Sequence, residues 1–399
     1  MARPNDSRVP IVPSAAAARP LRIGVVGLGA VAQAVHLPLL AKHPDLFELS
    51  ALCDLSAGVR DTLGARYGVP AARRFASGEE LIAAGGLDAV AVLTSGSHGA
   101  LATAAARAGL VVFCEKPLAY TLAETDELAA AGPRLMLGYM KIYDPAVEAA
   151  RAALAGRPEP RSIEVTVLHP PSEPQLAHAG LLPPPADVDA DELARVLALE
   201  AEAVNAALGE APPELALLYS DVLLGSVVHD LAVIRALAGG PLTVEHGDVW
   251  PEGAAARSLA LLGRLGETRV SIRWHYLEEY PAYREEVRVH DARGTVSLTF
   301  PAPYLLHAPT VLTVVDGVDG AERISESRST VEAFERQWLA FAGYAAGGAA
   351  PRAGIDEGRA DAVVCQAAAR LLAARAGVEL GGEAGGAPPV VHRSVEPVV

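Results

Sequence analysis

Two glycines and an alanine stand where the first apolar run of the chain gives way to a helical pattern, and their spacing suits phosphate binding. In RIGVVGLGAVAQAVHLPLL, from Arg22 to Leu40, they form the pattern G-x-G-x-x-A. The first glycine permits a tight turn, the second lets the backbone approach a pyrophosphate, and the third small residue lets helix and strand pack closely. A helix N-terminus also offers free N–H groups to phosphates. The pattern predicts a dinucleotide site formed by Gly27, Gly29, Ala30, Val31 and Ala32.

An acidic residue at the end of the second apolar run supports a bound dinucleotide over a glycine turn without a ligand. Asp54 directly follows the run Phe47 to Cys53, at the place where an acid hydrogen-bonds the adenosine ribose. A carboxylate there repels the 2′-phosphate of NADP, and no arginine immediately follows it to supply a counter-charge. We therefore expect NAD as the cofactor, with NADP less favoured.

Polar residues follow the next apolar runs in the same way. The run Leu87 to Leu93 ends at Thr94, His98 begins the helix that follows, and the next run leads directly into Glu115 and Lys116 of a Glu-Lys-Pro motif. In isolation this motif would indicate a charged surface turn. Because open α/β sheets bind ligands at the carboxyl ends of their strands, we predict that these four residues line the cofactor crevice.

The elements that must position these residues alternate between short apolar strands and amphipathic helices over residues 21–142. This alternation is typical of a parallel sheet covered on both faces, which predicts an N-terminal Rossmann domain for binding NAD. Over 143–350 the stretches RSIEVTVLH, TRVSIRWHYL, REEVRVHD and GTVSLTF alternate like half-buried strands. They predict a second, C-terminal α+β domain with a mostly antiparallel sheet, and hence an α/β fold class.

Other segments accompany these two domains. A helical insert over 170–213 contains DADELARVLALEAEAVNAAL, which begins with a capping box and carries its apolar residues on one stripe. We expect this stripe to lie over the mouth of the substrate cleft or against a partner subunit. A last helix is predicted over 351–376. The ends of the chain, 1–20 and 377–399, are rich in Pro, Ala and Gly and are predicted to be disordered.

Composition excludes several classes of function. The 399 residues, 51% of them hydrophobic, are enough for two domains with real cores. A formal net charge of −15 argues against nucleic acid as a partner. We expect no apolar run to reach the ~20 residues that cross a bilayer, and the N-terminus lacks the apolar core of a secretory signal, so we expect a cytoplasmic protein without a membrane partner. The three widely separated cysteines indicate free thiols, and no metal site is expected.

The chain resembles the glucose-fructose oxidoreductase, inositol dehydrogenase and rhizopine-catabolism family (Gfo/Idh/MocA) over about Leu21 to Arg375. The resemblance rests on GLGAVA at residues 27–32, on Asp54 and His98, and on the stretches AGLVVFCEKPLA and LGYMKIYDPAVEAAR. It implies hydride transfer between a nicotinamide cofactor and a small-molecule alcohol or carbonyl on a sugar, cyclitol or related metabolite. It also implies that the C-terminal domain is a substrate and dimerisation domain with an open, mostly antiparallel sheet, through which a homodimer or homotetramer assembles.

The resemblance implies catalytic roles for Lys116 and His229. It places Lys116 against the reacting oxygen and matches His229 to the histidine of a helix in the second domain. Two positions depart from the family pattern: Gly225 replaces an aspartate, and Ile142 stands where relatives often carry arginine. Hydride transfer leaves a proton for a base to take, and a lysine with a lowered pKa beside a histidine suits this task.

The helix that contains His229 can also be analysed from its periodicity. At 3.6 residues per turn, His229 shares a face with small residues that include Gly225, whereas Asp221 and Asp230 point away on opposite sides. Close approach of a substrate or of another backbone would explain a glycine inside a helix. The alternative for His229 is a core histidine packed against a close neighbour.

Aromatic residues are candidates for substrate contact. Tyr143 belongs to the YDP segment, and His275, Tyr276 and Tyr280 lie on or just after a strand that could face the crevice. Ordinary packing is the alternative for each of them.

Three functions remain open at this point. The first is an NAD(P)-dependent oxidoreductase that interconverts a secondary alcohol and a ketone on a sugar, cyclitol or natural-product metabolite. The second is a non-redox lyase or hydrolase that oxidises its substrate transiently and returns the hydride. The third is a non-catalytic cofactor-binding sensor, because a fold does not fix a function. The presence of Lys116 and His229 favours an enzyme.

Overall fold

The computed structural model describes residues 19–251 and 258–386, which form two sheets and the helices around them. The first sheet contains β1 (Leu21–Val26), β2 (Phe47–Cys53), β3 (Arg74–Phe75), β4 (Ala89–Val92), β5 (Val111–Cys114) and β6 (Arg134–Leu137). The second sheet contains β7 (Ser162–His169), β8 (Thr243–Trp250), β9 (Ser258–Leu265), β10 (Thr268–Tyr276), β11 (Arg284–Asp291), β12 (Gly294–Phe300), β13 (Val311–Val318) and β14 (Ala321–Arg328).

The α-helices and two π-helical turns connect and cover these strands. The helices are α1 (Leu37–Lys42), α2 (Ala57–Arg66), α3 (Gly78–Ala83), α4 (Gly99–Arg107), α5 (Leu122–Ala130), α6 (Pro145–Leu154), α7 (Ser172–Leu176), α8 (Ala190–Leu208), α9 (Pro213–Leu217), α10 (Val228–Ala238), α11 (Ala333–Ala345) and α12 (Ile355–Arg375). The π-helical turns are Ala32–His36, which leads into α1, and Leu218–Val227, which leads into α10.

The first sheet is parallel throughout, in the order β3-β2-β1-β4-β5-β6. Its central strands are apolar and buried along their whole length, as in AVAV of β4 and VVFC of β5, because helices cover both faces. The strand order reverses between β1 and β4, and such a switch point opens a crevice at the carboxyl ends of the strands. The predicted Rossmann fold is confirmed.

The second sheet has the order β14-β13-β12-β11-β7-β10-β9-β8, and all its neighbours are antiparallel except β7 and β10. Along β10 buried residues alternate with exposed ones such as Arg269 and Arg273, because one face packs on the helices and the other is open. This confirms the predicted open, mostly antiparallel sheet.

The helix α11 packs on the first sheet, although it lies within the range 143–350 assigned to the second domain. Its Trp338 stacks on Phe113 of β5, with ring centroids 4.2 Å apart and an interplanar angle of 19°. The Trp338 indole also donates to Nδ1 of His36 at 3.1 Å. An apolar helix face can cover either sheet, so its sequence does not say which one it joins.

Residues 377–386 are ordered, so the prediction of disorder for 377–399 is wrong for this part. The Glu383 carboxylate accepts hydrogen bonds from the backbone N–H groups of Leu122 and Ala123 at 2.7 and 2.9 Å and so caps α5. Gly381 lies so close to Gly209 that a Cβ on Gly209 would fall 2.6 Å from it. The glycines therefore allow a close backbone contact with the end of α8. Residues 387–399, and 1–18 of the predicted N-terminal tail, lie outside the described residues.

The continuous helical stretch Pro213–Ala238 meets the length and mean hydropathy, 1.6, of a membrane-spanning helix. The expectation that no apolar run has this length overlooked it. Sixty-one per cent of its most apolar window is buried inside the protein, which is typical of a core helix.

Candidate active site

The loop after β1 has the geometry of a pyrophosphate site. Gly27 has φ +92°, and a Cβ there would fall 2.6 Å from the backbone nitrogen of Thr94, so glycine lets the ends of β1 and β4 approach. A Cβ on Gly29 would meet no atom within 4 Å. This open space lies where helix N–H groups begin, beside Ala30, Val31 and Ala32. The residues present therefore fit a nicotinamide dinucleotide, with the phosphates over Gly29.

Asp54 fixes the glycine loop to the end of β2. Its carboxylate accepts hydrogen bonds from the backbone N–H groups of Leu28 at 2.9 Å and Ser56 at 3.0 Å. The Arg60 guanidinium donates to the carbonyl oxygens of Asp54 and Leu55 at 2.5 and 3.0 Å. The expectation that no counter-charge stands near Asp54 is therefore wrong, because the first turn of α2 brings Arg60 back to it.

His98 connects two loops of the crevice. Its Nδ1 lies 2.5 Å from the carbonyl oxygen of Pro117 and its Nε2 lies 2.8 Å from that of Thr94. Burial lowers the pKa of His98, although the two carbonyl groups oppose this shift. Both ring nitrogens are occupied by backbone, so His98 positions the Thr94 and Lys116 loops rather than contacting a cofactor through its ring.

Glu115 is a buried carboxylate beneath the Lys116 loop. Its Oε1 lies 3.3 Å from Nε2 of His36. Burial would raise the pKa of Glu115, but His36, Lys116 and His98 together hold it below the usual range. Its negative charge is therefore available to Lys116, whose backbone N–H donates to it at 3.2 Å.

The Lys116 side chain extends from the end of β5 in the first sheet to the π-helical turn Leu218–Val227, which precedes α10. Its Nζ donates to the carbonyl oxygen of Gly225 at 2.7 Å. Burial lowers the pKa of Lys116, Glu115 opposes the shift, and Lys141 adds to it. Lys116 lines a cavity of about 580 Å³ together with His229, so the structure brings the two predicted catalytic residues into one site.

His229 is a neutral imidazole in the wall of this cavity. Burial lowers its pKa well below the usual value, and the charges of Lys116 and Lys141 lower it further. Within the described residues, Nδ1 of His229 has no hydrogen-bond partner. The Tyr139 ring packs edge-on at 6.1 Å between centroids. A neutral imidazole of this kind can donate one hydrogen bond to a substrate oxygen or accept one from a substrate hydroxyl.

The π-helical turn Leu218–Val227 decides which residues share the cavity with His229. A π-helix closes i→i+5 hydrogen bonds and therefore has more residues per turn than an α-helix. Asp221, Gly225 and Ser226 consequently line the same cavity as His229. The prediction that Asp221 points away from His229 is wrong for this reason. Asp230 is turned away from the cavity and is 1% exposed.

Lys141 is a cavity residue that the sequence analysis missed. It is buried and forms an ion pair with Glu285, and the Glu285 carboxylate also accepts a hydrogen bond from the Tyr283 hydroxyl at 2.5 Å. Burial and the Glu285 charge raise the pKa of the neighbouring Asp230 well above its usual value. Lys141 comes just after β6, so the strand-end rule that identified Lys116 could have found it. It supplies a cation beside Ile142, where relatives often carry arginine.

The residues predicted to contact the substrate do not all lie in the cavity. Tyr276 lines the cavity together with His169, Trp274, Tyr283 and Tyr304. His275 lies on the opposite face of β10, with its ring 5.6 Å from that of Trp250, because side chains alternate along a strand. Tyr143 is buried elsewhere, and its hydroxyl accepts from the backbone N–H of Arg352 at 3.1 Å. The predictions for His275 and Tyr143 are therefore wrong, and Tyr280 does not line the cavity either.

In the part of the chain that the structure describes, no three His, Cys, Asp or Glu side chains come together in a way that could hold a metal ion.

Comparison with known proteins shows that the chain is similar to oxidoreductases with an NAD-binding Rossmann fold. Residues 21–136 match a family model described as "Oxidoreductase family, NAD-binding Rossmann fold". Inositol 2-dehydrogenase 2 of Paenarthrobacter aurescens is 28% identical over 371 residues, which are 88% of this chain and 96% of that protein. Inositol 2-dehydrogenase of Agrobacterium fabrum is 38% identical over 144 residues, but the match covers 34% of this chain and 42% of that protein.

Solved structures share the fold over nearly the whole chain. Myo-inositol 2-dehydrogenase from Lactobacillus plantarum superposes with a TM-score of 0.64 at 18% identity, covering 90% of this chain and 98% of that one. A 3-ketoreductase from Actinomadura kijaniata, in complex with TDP-benzene and NADP, has a TM-score of 0.64 at 18% identity, covering 88% and 96%. At these identities the likeness shows the fold.

Proposed function

Since the chain belongs to the glucose-fructose oxidoreductase, inositol dehydrogenase and rhizopine-catabolism family and is a dehydrogenase or reductase, we propose that it interconverts a secondary alcohol and a ketone. The substrate is a sugar, cyclitol or related metabolite. The observation that carries the proposal is that Lys116, with a lowered pKa, and a neutral His229 line one cavity. Lys116 reaches this cavity from the sheet edge that also carries the open space over Gly29.

Lys116 is the proton-transfer group of this proposal. When bound, the nicotinamide supplies or accepts the hydride. In the oxidation direction the neutral Nζ of Lys116 takes the proton of the substrate hydroxyl, and in reduction the protonated amine returns it. The Gly225 carbonyl holds this amine in place at 2.7 Å. The positive charge that forms on Lys116 stabilises the developing alkoxide.

His229 orients the substrate. Its pKa is lowered, so it offers one hydrogen bond as a neutral imidazole rather than a charge. No described residue orients the imidazole through Nδ1, so we assign His229 a binding role and Lys116 the main proton transfer.

The cavity lining favours a substrate rich in hydroxyl groups. Two lysines, Lys116 and Lys141, line the cavity together with carboxylates that include Asp221 and Glu278, and the aromatic walls include Trp274. Specific pockets place a few polar groups against apolar walls to fix a ligand's orientation. Polyols can both donate and accept hydrogen bonds, so they suit a lining that carries both signs of charge.

The Asp54 carboxylate supports NAD as the preferred cofactor. It stands where the adenosine ribose is bound in Rossmann domains, and it would repel a 2′-phosphate. A cytoplasmic location, and a homodimer or homotetramer formed through the open face of the second sheet, are part of the same proposal.

The proposal is tested by following NADH formation with a panel of inositols, aldoses, amino sugars and nucleotide sugars at alkaline pH. Turnover that depends on Lys116 and survives Lys42→Ala, a change at an exposed lysine paired with Glu335, supports an oxidoreductase. Substrate consumption with no accumulated NADH would support a lyase or hydrolase that returns the hydride. Cofactor binding with no change in any substrate would overturn the enzyme proposal in favour of a sensor.

A further inference from the structure

The insert 170–213 crosses the edge of the first sheet on which the dinucleotide would bind. Its first contact is with the loop after β1. The backbone N–H of Leu182 donates to Oε1 of Gln33 at 2.9 Å, and Nε2 of the same Gln33 donates to the carbonyl oxygen of Leu28 at 2.8 Å. One glutamine thus joins the insert to the glycine loop.

The second contact lies after β2 and involves Asp187. Its carboxylate accepts hydrogen bonds from the Ser56 hydroxyl at 2.5 Å and from the Gly58 backbone N–H at 2.7 Å. These donors and the nearby Arg60 lower the pKa of Asp187. Ser56 is also the N-cap of α2. A carboxylate from a distant part of the chain therefore occupies the hydroxyl and amide donors at the start of this helix.

The third contact lies after β4 and involves Glu200 of α8. Gly96 has φ +81°, and a Cβ on this residue would overlap the Glu200 carboxylate. The C-terminal end of α8 is anchored because Ala207 and Leu208 are buried, whereas Leu193 and Leu197 near its start are exposed. The predicted apolar stripe is thus buried at one end only, and the insert is fixed across three neighbouring loops.

The Asp187 contacts occupy a site that would otherwise suit a phosphate. A hydroxyl, a helix N-terminal amide and a guanidinium are the donors that bind phosphate oxygens. In this chain they follow Asp54 directly, where the 2′-position of an adenosine ribose lies in Rossmann domains. Without Asp187 the chain would present Ser56, Gly58 and Arg60 to the 2′-phosphate of NADP, and only Asp54 would oppose that phosphate.

We propose that Asp187 is a specificity-determining residue, which excludes NADP by holding the Ser56 and Gly58 donors and by placing a second negative charge beside Asp54. This inference rests on the proposed nicotinamide-dependent function. The insert acts in cofactor choice, and its carboxylate takes the place that a 2′-phosphate needs. NAD, which carries a 2′-hydroxyl there, meets no such conflict.

The test compares binding of NADH with NADPH, and of 5′-AMP with 2′,5′-ADP, by calorimetry on the full-length protein. The variants are Asp187→Asn, which removes the charge at nearly constant shape, and Asp187→Ala, which also frees the donors. Asp191→Ala is the control, because it removes the same charge from an exposed position in the same insert. We expect the Asp187 variants to bind NADPH and 2′,5′-ADP about tenfold or more tightly than the wild type, and NADH and 5′-AMP within about threefold.

Each outcome decides one point. An equal gain in the affinity of the Asp187 variants for NADH and NADPH would overturn the inference, because Asp187 would then compete with both cofactors. An equal loss of affinity for both cofactors would also overturn it, because the insert would then support dinucleotide binding without distinguishing NADH from NADPH. Unchanged binding in the Asp187 variants, or the same change in Asp191→Ala, would overturn it as well. If the wild type binds none of the four nucleotides, the proposed function fails instead.

Discussion

The Nζ atom of Lys116 donates a hydrogen bond to the carbonyl oxygen of Gly225 at 2.7 Å, although 109 residues separate the two in the chain. This bond joins the carboxyl edge of the first sheet to the π-helical turn before α10. The amine reaches that carbonyl inside the protein, where burial lowers its pKa. This lowered pKa makes proton loss from the Lys116 amine easier, as a general base requires.

Replacing Lys116 by alanine should slow the chemical step. We expect kcat to fall by ~10²–10⁴-fold, the size typical of a positioned proton-transfer group, while the dissociation constant of NADH changes little. Steady-state kinetics and a fluorescence titration measure the two quantities. Lys42→Ala should leave both unchanged, and a Lys116→Ala enzyme with near-normal kcat would refute the role of this lysine.

Replacing His229 by alanine should act mainly on substrate binding. The imidazole is neutral and offers one hydrogen bond, so we expect KM to rise by about tenfold, or ~1–2 kcal/mol in transition-state terms, with a smaller effect on kcat. Gln is the second variant, because its amide can replace the hydrogen bond, and it should recover part of the loss. A fall in kcat as large as that of Lys116→Ala would show that His229 takes part in proton transfer.

The pH profile should report the charge of Lys116. Alcohol oxidation needs the neutral amine, so kcat/KM should rise with pH through a pKa below the usual value for lysine, about 10.4. Glu115 raises this pKa, so Glu115→Gln should move the rising limb to lower pH. A limb that stays in place or moves to higher pH would contradict the assignment of this limb to Lys116.

Substitution of the two glycines in the loop after β1 should have different effects on cofactor binding and on stability. Gly29→Ala adds a methyl group to open space, so we expect an unchanged melting temperature and about tenfold or weaker NADH binding, because the methyl group takes the place of the phosphates. Gly27→Ala forces a Cβ to within 2.6 Å of Thr94 at φ +92°, and it should also lower the melting temperature. Unweakened NADH binding by Gly29→Ala would argue against phosphates at this loop.

The free energy of unfolding of the Asp230→Asn variant, relative to that of the wild type, should increase as the pH rises. The pKa of Asp230 is raised in the folded state, so its contribution to stability is fully present below the unfolded value of about 3.9 and is lost as pH rises towards the folded pKa. An asparagine cannot ionise and therefore avoids this loss. Chemical unfolding at about pH 5 and about pH 9 should show the variant gaining on the wild type at the higher pH.

The matched control for this experiment is Asp361→Asn. The Asp361 carboxylate accepts two hydrogen bonds from Arg235, at 2.7 and 2.8 Å, so we expect this variant to be destabilised at both pH values by ~3–5 kcal/mol, as when one partner of a buried ion pair is removed. A pH-independent difference between Asp230→Asn and the wild type would contradict the raised pKa of Asp230.

The sequence by itself determined the two sheets, the glycine loop, and the place of Asp54 and Lys116. Each of these follows from local patterns: the alternation of strands and helices, turn residues, and the rule that ligands bind where parallel strands end. The pattern of burial along each strand can also be predicted locally. A strand of a sheet with two covered faces is apolar throughout, whereas a strand of a sheet with one covered face alternates between apolar and polar residues.

The tertiary structure alone decided which residues meet. The π-helical turn brought Asp221 into the cavity, because its wider turns break the 3.6-residue periodicity on which the prediction rested. The partners of Lys141 and Asp187 are Glu285 and Ser56, which lie 144 and 131 residues away in the chain. Such contacts depend on how the sheets, the insert and the last glycines pack together, and no local pattern in the sequence records that packing.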